Sequence, residues 1–514
     1  MQDSQLGFQT IDFLIVILYL VIVAIVGSFS GGKQRNVKDY FLGGSNIPWW
    51  AVAFSIVAAE TSTLTFISIP GLAYMTNLNF LQVTIGYLIG RIVVSFMFLP
   101  AYKKGELVTA YALLETRFGR STRSYASIVF LFTRVAADGV RLFATSIPLA
   151  IIFRTFPAFA NYSNIDIYAI SIVVIALVTM IYTYTGGVKG IIWVDVLQML
   201  IFIGGALLAL GILLKRVPDG FSAVNLFSGE TNKFSIINWG FSDGIRGFFA
   251  KPYTLIGSLL GGAFLSMASH GTDQLIVQRL LTTKTVKDSQ KALITSGIIV
   301  IFQFALFLLV GLMLFAYYQG AKVGGAGILF SKPDEIFPYF IIHNLPTGIR
   351  GFIIAGLFAA ALSTLAGSIS SLSSSAMMDL YKPYFGKAND PARDLKISRI
   401  LTIFWAVVLT AVAFLFINIL QSVVEIALSI ASITYGGLLG TFMLGVLFKK
   451  PDQRDAIWGF SAGILAMLLF IVLPFILGRP SVVYWTWYTL IGCAVTLIVG
   501  NLSASISKRI LTSK

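Results

Sequence analysis

A handful of ionisable side chains stand inside long hydrophobic runs of this chain: Glu60, Arg91, Arg134, Asp138, Arg141, Asp195, Asp273, Arg350 and Glu425. At the centre of a membrane span such a group costs about 2.5–3.5 kcal/mol, so each one marks a candidate site. Arg134, Asp138 and Arg141 are spaced by four and three residues, which puts them on one helical face. Two uses fit that face. One is an internal salt-bridge network, with Asp138 neutralised by Arg134 or Arg141 and Glu60 by another arginine such as Arg141. The other is a charged lining for a polar solute, and a water-filled cavity permits both. Covalent chemistry has poorer material. One cysteine (Cys493), two distant histidines (His270 and His343) and scattered carboxylates form no nucleophile–base set and no His-based metal site, so no enzyme is expected. A G-x-x-x-x-G-K-[ST] loop is absent, which argues against transport driven directly by bound nucleotide.

Three polar stretches accompany these charges. Val57-Ala58-Ala59-Glu60-Thr61-Ser62-Thr63 and Ser266-Met267-Ala268-Ser269-His270-Gly271-Thr272-Asp273 place small, hydroxylated and charged residues in mid-membrane. A lipid-facing helix would not use them, whereas a locally unwound helix lining a cavity would, because its freed carbonyls become ligands. The third stretch, 355-AGLFAAALSTLAGSISSLSSSAMM-378, also suits close helix packing through small residues.

The elements that must hold these groups follow from composition. Of 514 residues, 57% are hydrophobic and only 11% charged, far below the roughly 25% of a soluble domain. Runs long enough to span a bilayer occur at 10–28, 48–73, 78–100, 122–153, 165–184, 190–214, 252–275, 292–319, 347–379, 400–417, 420–448, 456–477 and 483–507. The first lacks the basic start and small-residue end of a cleavable signal. The expectation is an all-α polytopic membrane protein with about 13 transmembrane helices. With the N-terminus outside and the C-terminus inside, 24 of the 37 Lys and Arg residues, Arg279 among them, fall in inside loops and nine in outside loops. The net charge of +15 therefore records orientation and not a nucleic-acid partner.

The two polar interruptions lie in the second and seventh runs, five apart. Inverted-repeat transporters place broken helices at such matching positions. The division predicted is one transmembrane domain, 1–514, made of an extra N-terminal helix and loop (1–47), two five-helix repeats (48–214 and 252–448) and two C-terminal helices (449–514).

Five segments in order carry a resemblance: Asp39-Tyr40-Phe41-Leu42-Gly43-Gly44 leading to Pro48-Trp49-Trp50, 186-GGVKGIIWVDVLQ-198, 272-TDQLIVQR-279, 355-AGLFAAALSTL-365 and 436-GGLLGTFMLGVLFKK-450. The chain resembles the sodium/solute symporter family over nearly its whole length. That family includes sodium/glucose cotransporters, bacterial sialic acid transporters, and carriers of iodide, monocarboxylates, proline and pantothenate. The TDQLIVQR segment is most similar to the sugar branch, and 54-FSIVAAETSTLTFISIP-70 to the sialic acid branch.

The resemblance implies a LeuT-type 5+5 inverted-repeat fold in the plasma (inner) membrane and symport coupled to Na+ by alternating access. It implies a sodium site made by the carbonyls of Ala58, Thr61 and Ala360 and the hydroxyls of Ser363 and Thr364. Five neutral oxygens suit a hard monovalent cation. A second sodium site of some relatives would join Asp195 to hydroxyls where this chain has Ala366 and Gly367, so one Na+ per cycle is expected, with Asp195 left to position a helix.

Substrate contacts carried over by position, with the charged face added, are Glu60, Ser62, Thr65, Thr84, Asp138, Arg141, Ser269 and His270. Sugar carriers have a neutral group at Glu60 and a lysine at Ile298, and the carboxylate-binding arginine of the sialic acid branch would fall at Ala136. The expected partners are a small polar organic solute, sugar or sugar-acid-like, the sodium ion and the lipid bilayer, with no obligate protein partner. Symport of a carboxylate, an amino acid or a cationic or zwitterionic solute stays open, as does proton coupling through Glu60 or Asp138.

Overall fold

The structure, a computed structural model, describes residues 8–512 apart from 106, 155–158, 160, 230, 242–243, 325–329, 331, 387–389, 418–422 and 479–482. The helices that carry the argument are α1 (Thr10–Ser30), α2 (Trp49–Glu60), α3 (Thr63–Met75), α4 (Leu81–Met97), α5 (Arg120–Arg154), α6 (Asn164–Arg216), α7 (Leu255–Gly271), α8 (Gln274–Leu281), α9 (Val286–Tyr317), α10 (Ile349–Ser375), α11 (Pro391–Leu415), α12 (Val423–Leu447), α13 (Gln453–Ile476) and α14 (Tyr488–Thr512). Among the described residues, eight helices are each long and apolar enough to cross a membrane. The side chain of Glu425 lies outside the described ones.

Both expected interruptions are present. The second hydrophobic run is the pair α2 and α3, with Thr61 (φ −82°, ψ 97°) and Ser62 (φ −85°, ψ 164°) extended between them. The seventh is α7 and α8, parted at Thr272 (φ −131°, ψ −16°) and Asp273 (φ −82°, ψ 123°). Ser62 and Asp273 are the N-caps that restart the chain, their side chains accepting from the backbone N–H of Thr65 and Leu275.

The fifth and sixth runs are the two arms of α6, which extends over 53 residues. Straight, it would be roughly 80 Å long, more than twice a bilayer core. Gly187 (φ 55°, ψ −160°) breaks it into two arms in a backbone conformation that side chains resist. A Cβ there would also meet the carbonyl oxygen of Tyr40 at 2.6 Å. Arg279, expected in an inside loop, is instead buried within α8.

The centre of the molecule is α10, buried along almost its full length and packed against α1, α2, α5, α6 and α11. Its alanines, serines and glycines allow that close approach. The extra helix α1 fixes the start of α10: buried Asp12 accepts from the backbone N–H groups of Gly348 (2.7 Å) and Gly351 (3.0 Å). A carboxylate at a helix N-terminus satisfies orphan donors and complements the helix dipole.

Candidate functional site

The last intrahelical bond of α2 runs from Thr61 N–H to the Val57 carbonyl, 2.9 Å. The carbonyls from Ala58 to Thr61 follow it and so have no intrahelical donor. The Thr61 hydroxyl donates to the Val57 carbonyl (2.7 Å) and accepts from Gln303 Nε2 of α9 (2.7 Å), which pins the break. Across from it on α10, the Thr364 hydroxyl donates to the Ala360 carbonyl at 3.0 Å. Ser363 Oγ donates to Asp195 Oδ1 at 2.6 Å. Each hydroxyl has spent its one proton on a neighbour, so the oxygen lone pairs are what it can still offer. All five residues expected at the ion site are buried.

Asp195 is the knot beneath them. Its Oδ2 accepts from Ser55 Oγ (2.5 Å) and from an Arg279 guanidinium nitrogen (3.1 Å), while Arg279 Nε donates to Ser55 Oγ (2.9 Å). One buried carboxylate thus ties α2, α6, α8 and α10. The guanidinium lies against Gly367, where a Cβ would be 2.7 Å from it. Asp195 therefore has its countercharge in Arg279.

Glu60, at the end of α2, pairs with Arg91 of α4 and not with Arg141. Arg91 is fully buried and also donates to Ser296 Oγ at 2.8 Å. His270 Nε2 lies 3.7 Å from the Glu60 carboxylate, and its Nδ1 shares a 2.8 Å hydrogen bond with Ser269 Oγ. Ser62 and Thr65 are hydrogen-bonded to each other at 3.3 Å across the start of α3. Thr84 is fully buried and its hydroxyl donates to the Leu81 carbonyl (2.8 Å).

A small cavity opens beside the first break, lined by Ser62, Asp138, Arg141, Thr145, Ala361 and Thr364 among others. It joins the restart of α3, one face of α5 and the expected ion ligand of α10. Asp138 is buried, 3.0 Å from Arg141 and 3.4 Å from Arg134, and accepts from Ser368 Oγ. Arg134 is in turn paired with Asp273 at the second break, and Tyr435 OH donates to that same carboxylate at 2.7 Å. The Arg141 side chain is 28% exposed against 7% for Arg134, which makes it the guanidinium available to a solute.

Apart from Asp138 with Arg134 and Arg141, which spacing on one helical face had suggested, these groups were legible as types but not as pairs. Arg91 stood out as an intramembrane charge, yet nothing in sequence spacing links it to Glu60, 31 residues away. Ser368, Tyr435 and Gln303 carried no signal of their own.

Residues 40–463 match the family model described as "SSF: Sodium:solute symporter family". The chain is 30% identical to the sodium/sialic acid symporter SiaT of Proteus mirabilis (strain HI4320), over 98% of this chain and 96% of that protein. It is 27% identical to the mouse (Mus musculus) sodium-coupled monocarboxylate transporter 2, over 92% of this chain and 74% of that one. A substrate-bound, outward-open structure of a Na+-coupled sialic acid symporter superposes with a TM-score of 0.82 at 28% identity, covering 97% of this chain and 98% of that chain.

Proposed function

The chain belongs to the sodium:solute symporter family, and on that premise we propose that it carries a small organic acid, sugar-acid in type, with one Na+ per cycle. It is a sodium-coupled symporter of the LeuT-like fold, a multi-pass plasma-membrane protein and not an enzyme.

The observation that carries the substrate reading is the exposed guanidinium of Arg141 in a cavity that also touches Ser62 of the broken helix and Thr364 of α10. A planar guanidinium recognises a carboxylate through paired hydrogen bonds. Asp138 holds Arg141 in place, and Ser62 and Thr145 line the same cavity for solute hydroxyls. Two relatives are named for sialic acid and for monocarboxylates, both of them acids. Sodium would sit on the carbonyls of Ala58, Thr61 and Ala360 and the hydroxyls of Ser363 and Thr364. Its presence would fix the break in α2–α3 and so the shape of the cavity, which couples ion to solute. The absence of side-chain oxygens at Ala366 and Gly367, with Arg279 beside Asp195, supports a single sodium. Glu60 and Asp138 are each engaged by guanidinium groups, so neither is favoured as a proton carrier. Halves 48–214 and 252–448, N-terminus outside, would rock about this site in the bilayer.

The test is a thermal-shift titration of the purified protein with sialic acid in sodium and in potassium. Stabilisation should need sodium. Arg141→Ala should weaken the sialic acid effect at least about thirtyfold, and Ser363→Ala should raise the sodium needed for it about tenfold. A shift by neutral sugars alone, untouched by Arg141→Ala, would sink the acid reading.

A further inference from the structure

Arg141 borders two cavities. The first is the one already described, on the α10 side of α5. The second, a narrow one in this conformation, lies between α5 and α12 and is bordered by Thr133, Arg134, Arg141, Asp273, Thr434 and Tyr435 among others. Along α5 the two are offset. The first takes residues from Asp138 to Thr145, and the second takes residues from Val129 to Arg141. Helix α5 begins at Arg120, on the side where most basic residues fall. The second cavity is thus the one nearer the cytoplasm.

We propose that this second cavity is an exit-side subsite for the carboxylate of the transported acid, with Arg134 and Arg141 as its two cationic walls. The proposal rests on the acid reading of the first cavity. Arg141 lines both spaces, so its guanidinium passes the carboxylate across by a change of side-chain torsion while its Cα stays in place. Arg134 is occupied in this conformation. It is paired with Asp273, in the extended break between α7 and α8, and Asp273 is also held by Tyr435 of α12. A 3.1 Å hydrogen bond between Thr133 and Thr434 closes the same seam between α5 and α12. Movement of α8 away from α5 would part Asp273 from Arg134. A second guanidinium would then be free just when the seam opens, drawing the acid off Arg141 toward the cytoplasmic side. A carboxylate held between two arginines replaces the one that Arg134 loses, so the buried guanidinium keeps a countercharge during the step, while Asp273 keeps its hydrogen bond from Tyr435.

Two measurements decide it. Thr434→Trp fills the second cavity without touching the first. It should bind sialic acid in sodium with a Kd within about threefold of the unmutated protein, while uptake into proteoliposomes falls at least about tenfold. Equal loss of binding and uptake, or full uptake, would overturn the proposal. The second uses Thr434→Cys in a Cys493→Ala background and an impermeant thiol reagent applied from either side. Labelling is expected from the cytoplasmic side only, and more slowly in sodium. Labelling from the outside, from neither side, or without regard to sodium would overturn it. This labelling needs no solute. A protein that binds no sialic acid would therefore refute the substrate reading and leave the exit route to be decided by the labelling alone.

Discussion

At the scale of residues, eight of the described intramembrane charges come as closed sets. Glu60 has Arg91, Asp195 has Arg279, and Asp138 and Asp273 share Arg134 and Arg141. The residue types were readable in the sequence because each breaks an apolar run, and so was the pairing of Asp138 with Arg134 and Arg141, four and three residues away on one helix. The other partners were not, because they come from helices distant in the chain. Pairing changes what a mutation at Glu60 should do. Arg91 is wholly buried, so removing its carboxylate leaves a guanidinium with no countercharge. The cost should be about 3 kcal/mol, at the low end for a broken buried pair because Glu60 is itself 20% exposed. Glu60→Gln should therefore lower the melting temperature in detergent well beyond Arg141→Ala, and adding Arg91→Met should recover much of the loss. If Glu60→Gln melts like the unmutated protein yet changes which solutes stabilise it, Glu60 is a solute ligand and not a structural partner.

At the scale of elements, what could be read early is what interrupts hydrophobicity. The breaks at Thr61–Ser62 and Thr272–Asp273 were visible because hydroxyl and carboxyl groups there can serve only an unwound backbone. The geometry of the turn between the two arms of α6 was not, since it depends on the backbone torsions of Gly187 and its fit against Tyr40. The far end of α3 is held by a similar long-range device. Lys233, in the segment between α6 and α7, donates to the Tyr74 carbonyl in the last turn of α3 (2.6 Å) and lies 4.2 Å from the ring centroid of Phe315 in α9. Burial holds its ammonium down to about 8 from the usual 10.5. The folded protein then gives up this proton at lower pH than the unfolded chain does. Between about pH 8 and 10.5 the unfolded state binds more protons, and stability contributed by this site rises with pH. Lys233→Met cannot titrate. The difference in melting temperature, unmutated minus variant, should therefore increase from pH 8 to 10, and a flat difference would mean the lysine is solvated.

At the scale of the whole molecule, the charge balance bears on the energy of transport. The four paired carboxylates and four arginines around the path sum to zero, and the expected sodium ligands are neutral oxygens. No protein charge is then left over to move across the membrane with the cargo. One sodium carried with one monoanionic acid is an electroneutral load, so membrane voltage does no work on it. A tenfold sodium gradient alone supplies about 1.4 kcal/mol and supports about tenfold accumulation. A neutral sugar carried by the same single sodium would add about 2.3 kcal/mol from 100 mV and reach about 500-fold. The two cargoes are separable by one measurement. In proteoliposomes with a fixed sodium gradient, imposing an inside-negative potassium diffusion potential with valinomycin should leave sialic acid uptake unchanged. Strong stimulation would require either a neutral cargo or a second sodium. A second sodium would be sought beside Asp195, where Arg279 supplies the positive charge in this structure.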